Sequence, residues 1–461
     1  MPKVSRFNSY IAMPAGQTAV YNTYSGRFCI IQDSIARQLS RLARNGGRIP
    51  QLIVQALPAL KHGGILIDDE RDELEEYRSR CRWVKYGAAD ARFLLYTAAT
   101  CNFRCPYCYQ ARSRQGRKGL MDEPTARRVV RFMQRVIAEN RCRRVTVGIY
   151  GGEPLLNPRI SGMIMSDMTR YCDAKGVLIQ YSLTTNGYHV ADLKDEAVVG
   201  LATAINTVLD GPPDLHNQVR CTRSGRPSYS RIMAGIHAAL MLDKILGIRI
   251  HYDNIDGRGL LRILDDLMTA GVDCSKKVSI YLMNIEPVPE IGPQACCYKT
   301  DPETLEQRMR HVRELAAAIE RHPLLPLFNW EYTCPDRPLP QVYTCGFDRI
   351  MSFAVDVDGS LRKCCGFVGE ALPTGTLGDS GEPVWTASHF ATLATEVSER
   401  QVCRQCVYLP VCGGGCVLNE QPPRTLDDCR NLRNLFHQKI ASYVESCMRE
   451  RRESRVQAGH P

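Results

Sequence analysis

Three cysteines crowd one short stretch, TAATCNFRCPYCYQA at Thr97–Ala111: Cys101, Cys105 and Cys108, with Tyr107 and Tyr109 on either side of the last. Four thiolates saturate a tetrahedral zinc ion, and structural zinc sites draw on paired CxxC or Cys/His spacings. A CxxxCxxC loop offers only three. A [4Fe–4S] cube held by three cysteines keeps one iron open for another ligand, so the spacing points to a cluster that also binds a small molecule. The competing reading is half of a zinc site completed by a distant residue. A second constellation lies towards the C-terminus. Thirteen residues separate Cys345 from Gly359, and four separate Gly359 from Cys364. CRQCVYLPVCGGGC then supplies Cys403, Cys406, Cys412 and Cys416 with gaps of two, five and three, and Cys429 follows. With Cys334 upstream there are eight candidate ligands in this region; on spacing alone a zinc ribbon is the alternative.

The setting favours metal over disulfides. No run of 18 apolar residues occurs, and MPKVSRFNSY lacks the layout of a signal peptide, so a soluble, cytoplasmic protein without a membrane partner is expected. Reducing compartments disfavour structural disulfides, and 21 cysteines in 461 residues are better explained by metal binding. The formal charge of +10 is spread along the chain, apart from RERRESR at 449–455. No basic stripe with interleaved aromatics appears, so nucleic acid is not the expected partner and an acidic peptide is.

The elements that must position these cysteines fall into three blocks. Residues 1–88 read as three short strands (NSYIAM, TAVYN, RFCII), then a helix in DSIARQLSRLARNGG with Ile35, Leu39 and Leu42 on its apolar face. A short helix around Leu52–Leu57 and the charged helix DERDELEEYRSR follow. This is a small α+β module of winged-helix type, or else an extension packed on the main domain. Residues 89–328 alternate strands (RFLLYTAAT, RVTVGIY, VLIQYSLTT, AINTVLD, GIRIHYDN, VSIYLMN) with helical segments. The clearest helix is PTARRVVRFMQRVIAEN, apolar at Val129, Val130, Met133, Val136 and Ile137. Six such units argue an α/β fold, a parallel, partial (β/α)6 barrel, whose chemistry belongs at the C-terminal ends of its strands. The three-cysteine loop follows the first strand directly. Residues 329–440 are rich in Pro and Cys and read as a small metal-stapled domain unable to build much core alone; 441–461 read as a tail. A further helix at Glu303–Arg321, apolar at Leu305, Met309, Val312, Leu315 and Ile319, is a packing stripe.

Four motifs in order, each at the end of an expected strand, resemble the signature of the radical S-adenosylmethionine superfamily: CNFRCPYCY, YGGEP (Tyr150–Pro154), SLTTNG (Ser182–Gly187) and LDGPPDLHNQVR, which is similar to the family's LDG…HDxxR. The resemblance implies that the open iron chelates the amino and carboxylate groups of S-adenosylmethionine. The reduced cluster then cleaves its sulfonium C–S bond to a 5′-deoxyadenosyl radical. It further implies Tyr107 beside the adenine, Gly151, Gly152 and Glu153 holding the methionine amine, Ser182 at the ribose or carboxylate, and Arg220 near the carboxylate, which suits a guanidinium fork. The family's His-Asp reads His216–Asn217 here, a departure.

The C-terminal cysteines resemble the SPASM pattern, which carries auxiliary clusters in enzymes that modify peptides and proteins. That resemblance implies two further [4Fe–4S] clusters, one on Cys334, Cys345, Cys364 and Cys416, the other on Cys403, Cys406, Cys412 and Cys429. If Cys334 completes its cluster, no auxiliary iron is open to a substrate thiolate, which favours a carbon–carbon or carbon–oxygen link over a thioether. Of the remaining ten cysteines (Cys29, Cys81, Cys142, Cys172, Cys221, Cys274, Cys296, Cys297, Cys365 and Cys447), most read as small buried hydrophobes or surface thiols. Cys365 is a candidate for a catalytic role because it adjoins a ligand position. Two activities compete. One modifies a ribosomally made precursor peptide, captured through its leader by strand addition to the N-terminal module, with a reductant such as flavodoxin or ferredoxin. The other oxidises a sulfatase side chain to formylglycine; that family has an Asp where Cys365 stands, and a thiol serves as base only when ionised. A non-catalytic iron–sulfur electron carrier is the third reading; it has no use for groups that clasp a methionine.

Overall fold

The computed structural model describes residues 2–45, 50, 53, 58–108, 110, 119–284, 302–330, 338–342, 345–364, 373–415 and 426–457. At the N-terminus β2 (Asn8–Met13), β3 (Gln17–Asn22) and β4 (Arg27–Gln32) form an antiparallel sheet, and β1 (Pro2–Val4) pairs with β5 (Leu66–Asp68). The expected strands are therefore present. Helix Asp33–Asn45 buries Ala36 and Leu39 against one face of the sheet, with Ile35 and Leu42 partly buried beside Val20, Ile31 and Leu60. Of the helix expected around Leu52–Leu57 only Ile53 lies among the described residues, buried in this core. The charged segment forms helix Glu73–Tyr86, capped by Asp72, whose carboxylate accepts the Leu74 and Glu75 amides.

The alternating block folds as its pattern demands. Strands β6 (Asp90–Ala98), β7 (Arg144–Gly151), β8 (Leu178–Thr184), β9 (Ala204–Leu209), β10 (Ile245–His251) and β11 (Val278–Met283) lie side by side in chain order, all parallel. Each successive pair is joined through helical chain, which a parallel crossover requires. Helix Glu123–Asn140 is typical: Asp122 caps it, and Val129, Val130, Met133, Val136 and Ile137 are buried. Period two is plain in the strands. Val145, Val147 and Ile149 of β7 are buried while Thr146, Gly148 and Tyr150 are half-buried; Val278, Ile280 and Leu282 of β11 contrast in the same way with Ser279, Tyr281 and Met283. One face packs on helices and the other lines a concave surface of mixed polarity. Among the described residues the sheet is not closed, and that surface is open along one side. Of the helix expected at Glu303–Arg321, Pro302–Ala318 is helical, and Val312, Leu315 and Ile319 are buried.

One sheet and one helix run across two of the expected domain limits. The sheet crosses the boundary set at 328: β12 (Ser352–Val355) pairs parallel with β6, and β13 (Leu361–Arg362), β14 (Gly375–Leu377) and β15 (Pro383–Trp385) extend it to ten strands. Phe353 stacks on Phe93 with ring centroids 5.5 Å apart, so this region shares the main core. The physical reason is that β6 would otherwise present an unpaired edge. Likewise the boundary at 440 falls inside the single helix Leu426–Gln457, whose Phe436, Ile440 and Val444 are buried against Ile11, Ala19 and Tyr21 of the N-terminal sheet. Phe7, Tyr24, Leu74 and Tyr77 form a second contact with Cys403 and Leu409. The N-terminal module is thus packed on the cysteine-rich region. Among the described residues no helix is long and apolar enough to cross a membrane.

Ile440 is fully buried at that junction. Ile440→Ala should destabilise the chain by about 2–5 kcal/mol and speed limited proteolysis of the N-terminal module. Unchanged denaturation and cleavage would show that the junction contributes nothing.

Candidate functional site

The three-cysteine loop leaves the C-terminal end of β6 and is held from both sides. On one side the amides of Gly152 and Glu153 donate to the carbonyls of Ala98 (2.8 Å) and Thr100 (2.9 Å). Gly151 has φ +144°, and a Cβ there would lie 2.2 Å from the Ala98 oxygen; one at Gly152 would lie 2.2 Å from the Thr100 oxygen. Only glycine admits such an approach to backbone. On the other side Phe103 and Thr222 form a β-bridge, the Arg223 amide donates to Asn102 O (2.7 Å), and Arg223 Nε donates to Cys101 O (3.0 Å). Asn186 of the TTNG turn donates to the Asn102 side chain (2.7 Å). Cys101, Cys105 and Cys108 are all half-buried on this loop, and burial pushes the Cys105 thiol up although Arg220 pulls it down. Among the described residues no three His, Cys, Asp or Glu side chains are drawn into metal-ligating geometry.

Glu153 follows the end of β7, directly after Gly151 and Gly152. Its carboxylate is fully buried, accepting from Thr185 Oγ1 (2.7 Å) and the Leu155 amide (3.0 Å) on one oxygen and from the Asn186 amide (2.7 Å) on the other. Burial raises its pKa; the three donors oppose the shift. The side chain fastens the end of β7 to the turn after β8. Ser182 sits on the concave face, where its hydroxyl oxygen accepts from Asn206 Nδ2 at 2.9 Å.

The chain from β9 brings a buried charge network to Cys105. Asp210 accepts from the Tyr107 hydroxyl and from His251 Nδ1 (2.7 Å), and Arg220 Nη1 donates to the Tyr107 oxygen (2.8 Å). Burial alone would raise the Asp210 pKa, but the Arg220 guanidinium, then His251 and Tyr107, bring it down to about 2. Burial also raises the Tyr107 pKa. Arg220 is held charged by Asp210 and Tyr107 against its own desolvation, and lies over the Phe103 ring at 5.7 Å. Its Nε is buried and has no hydrogen-bond partner among the described residues. His216 accepts the Asp210 amide at Nδ1 (3.1 Å), which leaves the proton on Nε2, 3.1 Å from the Ser228 hydroxyl that donates to Arg220 O. The Asn217 departure has a structural account: its side-chain oxygen accepts the Ser228 and Tyr229 amides (2.9 and 3.0 Å) at the start of helix Tyr229–Met241. An amide oxygen caps a helix as a carboxylate does. Asp210 and His251 join the site although the sequence reading does not include them. Asp210 stood inside the quoted motif, and a histidine ending the fifth barrel strand was the available signal.

Of the C-terminal candidates, Cys403, Cys406, Cys412 and Cys429 line one cavity with Leu409, Leu432 and Phe436. Three consecutive glycines after Cys412 have φ +62°, +79° and +82°. Cys345 precedes a single turn at Gly346–Asp348, and its sulfur accepts the Phe347 amide at 3.5 Å; Cys364 follows β13. Cys334, Cys365 and Cys416 lie outside the described residues.

Comparison with known proteins agrees with this geometry. Residues 95–245 match the model of the Radical SAM superfamily. Over 144 residues, 30% of this chain and 34% of the other, the chain is 26% identical to the Serine-type anaerobic sulfatase-maturating enzyme of Bacteroides thetaiotaomicron. Over 140 residues, 30% of this chain and 40% of the other, it is 29% identical to the GTP 3',8-cyclase of Microcystis aeruginosa. The chain thus spans well under half the length of either relative. The solved structure of native anSMEcpe with bound AdoMet and Kp18Cys peptide is similar at TM-score 0.51 and 16% identity, over 77% of this chain and 99% of that one. Residues 95–245 thus match a radical SAM domain, and the likeness to the solved structure shows the partial-barrel fold.

That domain implies a [4Fe–4S] cluster and S-adenosylmethionine, and the residues present fit them. The loop provides three thiols and no competing His or carboxylate between Cys101 and Cys108. The buried, unpartnered Arg220 Nε beside Cys105's surroundings is a donor suited to a carboxylate.

His216 gives the site a pH signature. Burial, and then Arg220, lower its pKa from 6.5 to about 3. Below pH 6.5 the unfolded chain binds a proton that the folded chain refuses until near pH 3. Stability should therefore fall with pH by about 1.4 kcal/mol per unit in that window from this group and be untouched above it. His216→Gln should be less stable at pH 7, with the gap to the parent narrowing as pH falls in urea titrations. A gap constant with pH would contradict the buried neutral imidazole.

Proposed function

We propose that this protein is a radical S-adenosylmethionine enzyme that modifies a ribosomally synthesised precursor peptide, making a side-chain cross-link or related C–H functionalisation. The observation that carries the reading is the three-thiol loop fastened at the end of β6 beside the unpartnered Nε of Arg220. Cys101, Cys105 and Cys108 hold the [4Fe–4S] cluster, and Arg220 receives the carboxylate of S-adenosylmethionine. Such a cluster, bound and reduced, would supply one-electron reduction of S-adenosylmethionine and so the means to take hydrogen from carbon. The chain's own residues do the positioning. Asp210 and Tyr107 keep Arg220 charged and aimed, the backbone of Gly151 and Gly152 walls the loop, and the face of the sheet that bears Ser182 faces the substrate. Tyr107 stands beside the adenine with its hydroxyl anchored.

Two auxiliary clusters complete the set, on Cys403, Cys406, Cys412 and Cys429, and on Cys334, Cys345, Cys364 and Cys416. Clusters held there would supply an exit for one electron. Support for the peptide substrate comes from the N-terminal module, in which β4 has a neighbouring strand on one side only among the described residues. That edge can accept a leader as an added strand. The peptide-bound anSMEcpe structure shows that the fold accommodates a peptide in that protein. Formylglycine formation is the second reading, favoured by the similarity to the Bacteroides enzyme; Cys365 at the position of that family's Asp weighs against it. Flavodoxin or ferredoxin is the proposed class of reductant.

Two outcomes are expected. Anaerobic reconstitution should give about twelve irons per chain, and Cys101, Cys105 and Cys108 changed together to Ala should lose about four of them with all cleavage of S-adenosylmethionine. Zinc in place of iron, or surviving cleavage, would end the radical reading. Separately, amide exchange across Arg27–Gln32 should slow when the full chain meets its precursor. Unchanged exchange would reduce the module to packing.

A further inference from the structure

An enzyme that uses one electron per cleavage must receive it from outside, and the surface beside the first cysteine loop has a definite character. Arg104, between Cys101 and Cys105, is exposed, as are Arg223 and Arg226. The two segments that bear them are locked together. Phe103 and Thr222 bridge, Arg104 N donates to Cys221 O (3.3 Å), and Arg223 Nε donates to Cys101 O (3.0 Å). The Arg104 guanidinium lies over the 222–226 turn, since a Cβ on Gly225 would be 3.9 Å from its Nη2. The turn itself is fixed by the Arg226 amide donating to Thr222 Oγ1 (2.9 Å) and the Thr222 amide to Arg226 O (3.1 Å).

No acidic residue offsets this charge within either segment. Residues 102–121 contain no Asp or Glu, and neither do residues 215–242. The carboxylate reached through Asn102 and His189 is Asp192, which is engaged by Arg231. Apart from RERRESR at 449–455 the positive charge is otherwise spread along the chain, so its gathering around this loop calls for a reason.

We infer that Arg104, Arg223 and Arg226 form the docking face of an acidic one-electron donor protein, a small flavin- or iron–sulfur-bearing carrier. This rests on the reading of Cys101, Cys105 and Cys108 as cluster ligands. Electron tunnelling falls steeply with distance, and a face that includes the residue between two ligands brings the donor as near as the protein surface allows. Complementary charge steers the encounter and fixes its orientation. The step transfers one electron: the carrier is oxidised by one, the cluster reduced by one, and no bond or proton moves.

The test uses the reconstituted full chain, its double variant R104E/R226E and the neutral R104Q/R226Q, with reduced flavodoxin as probe. Arg223 is left in place because it holds the Cys101 carbonyl. Binding by calorimetry at low and high salt is read beside cleavage of S-adenosylmethionine driven by titanium(III) citrate, which needs no docking face. The charge reversal should weaken flavodoxin binding about tenfold or more and remove most of its salt dependence, with the neutral variant between the two. Titanium-driven cleavage should match the parent. Unchanged binding and salt dependence, with titanium-driven cleavage intact, would overturn the docking face alone. Loss of titanium-driven cleavage in the variants would overturn it too, by making these arginines supports of the loop. Its absence in the parent chain would overturn the functional reading beneath, and this inference with it.

Discussion

Two backbone carbonyls, those of Ala98 and Thr100, set the geometry on which the rest of the site depends. They accept the amides of Gly152 and Glu153 while Gly151 and Gly152 press against them at a distance no side chain tolerates. A Cβ at 2.2 Å would meet a carbonyl oxygen of the main chain, so the clash could not be relieved by a rotamer change. The contact joins the end of β6 to the end of β7 at the point where the three-cysteine loop begins. From there the Glu153 carboxylate ties β7 to the turn after β8 through three donors. Asn186 of that turn returns to the loop through Asn102. A closed circuit of short backbone and side-chain bonds thus holds the loop at the open end of the sheet. Rigidity of this kind is what a site needs when reactive groups must be held close and water kept away.

The charge network supplies the other half of the site. A buried guanidinium is costly unless paired, and Arg220 is paired: Asp210 and Tyr107 lie beside it, and Phe103 lies beneath. His251 and the Asp210 amide, bonded to His216, fix the carboxylate in turn. The arrangement leaves a charged group with a donor that has no partner among the described residues, next to the thiol loop, in a region where burial strengthens electrostatics. Burial first, and then the repulsion of a second positive charge beside Arg220, keep His216 neutral.

Much of this was legible in the residues because the relevant signals are local. Period-two and period-3.6 patterns marked β6–β11 and helix Glu123–Asn140, and the four motifs fell at strand ends. What was not legible depended on contacts between distant segments. Nothing in SFAV announces that it pairs with RFLL 260 residues earlier, so the cysteine-rich block read as a separate unit when it shares the sheet. Phe436, Ile440 and Val444 lie on a helix whose overall polarity resembles a tail; only the apolar back of the N-terminal sheet explains their burial. Glu153 carried a motif role in the sequence, whereas its burial is a property of the packed strand ends. The Asn217 departure turned out to preserve a helix cap, which the residue type permits but the sequence does not reveal.

The central claim is that S-adenosylmethionine sits on the iron left open by Cys101, Cys105 and Cys108, with its carboxylate towards Arg220. The most direct measurement is electron–nuclear double resonance on the reduced enzyme mixed with S-adenosylmethionine carrying 15N in the amino group and 17O in the carboxylate. Hyperfine coupling from both labels, lost when Cys101, Cys105 and Cys108 are replaced, is the expected result. A cluster signal that shows no coupling to either label would contradict it.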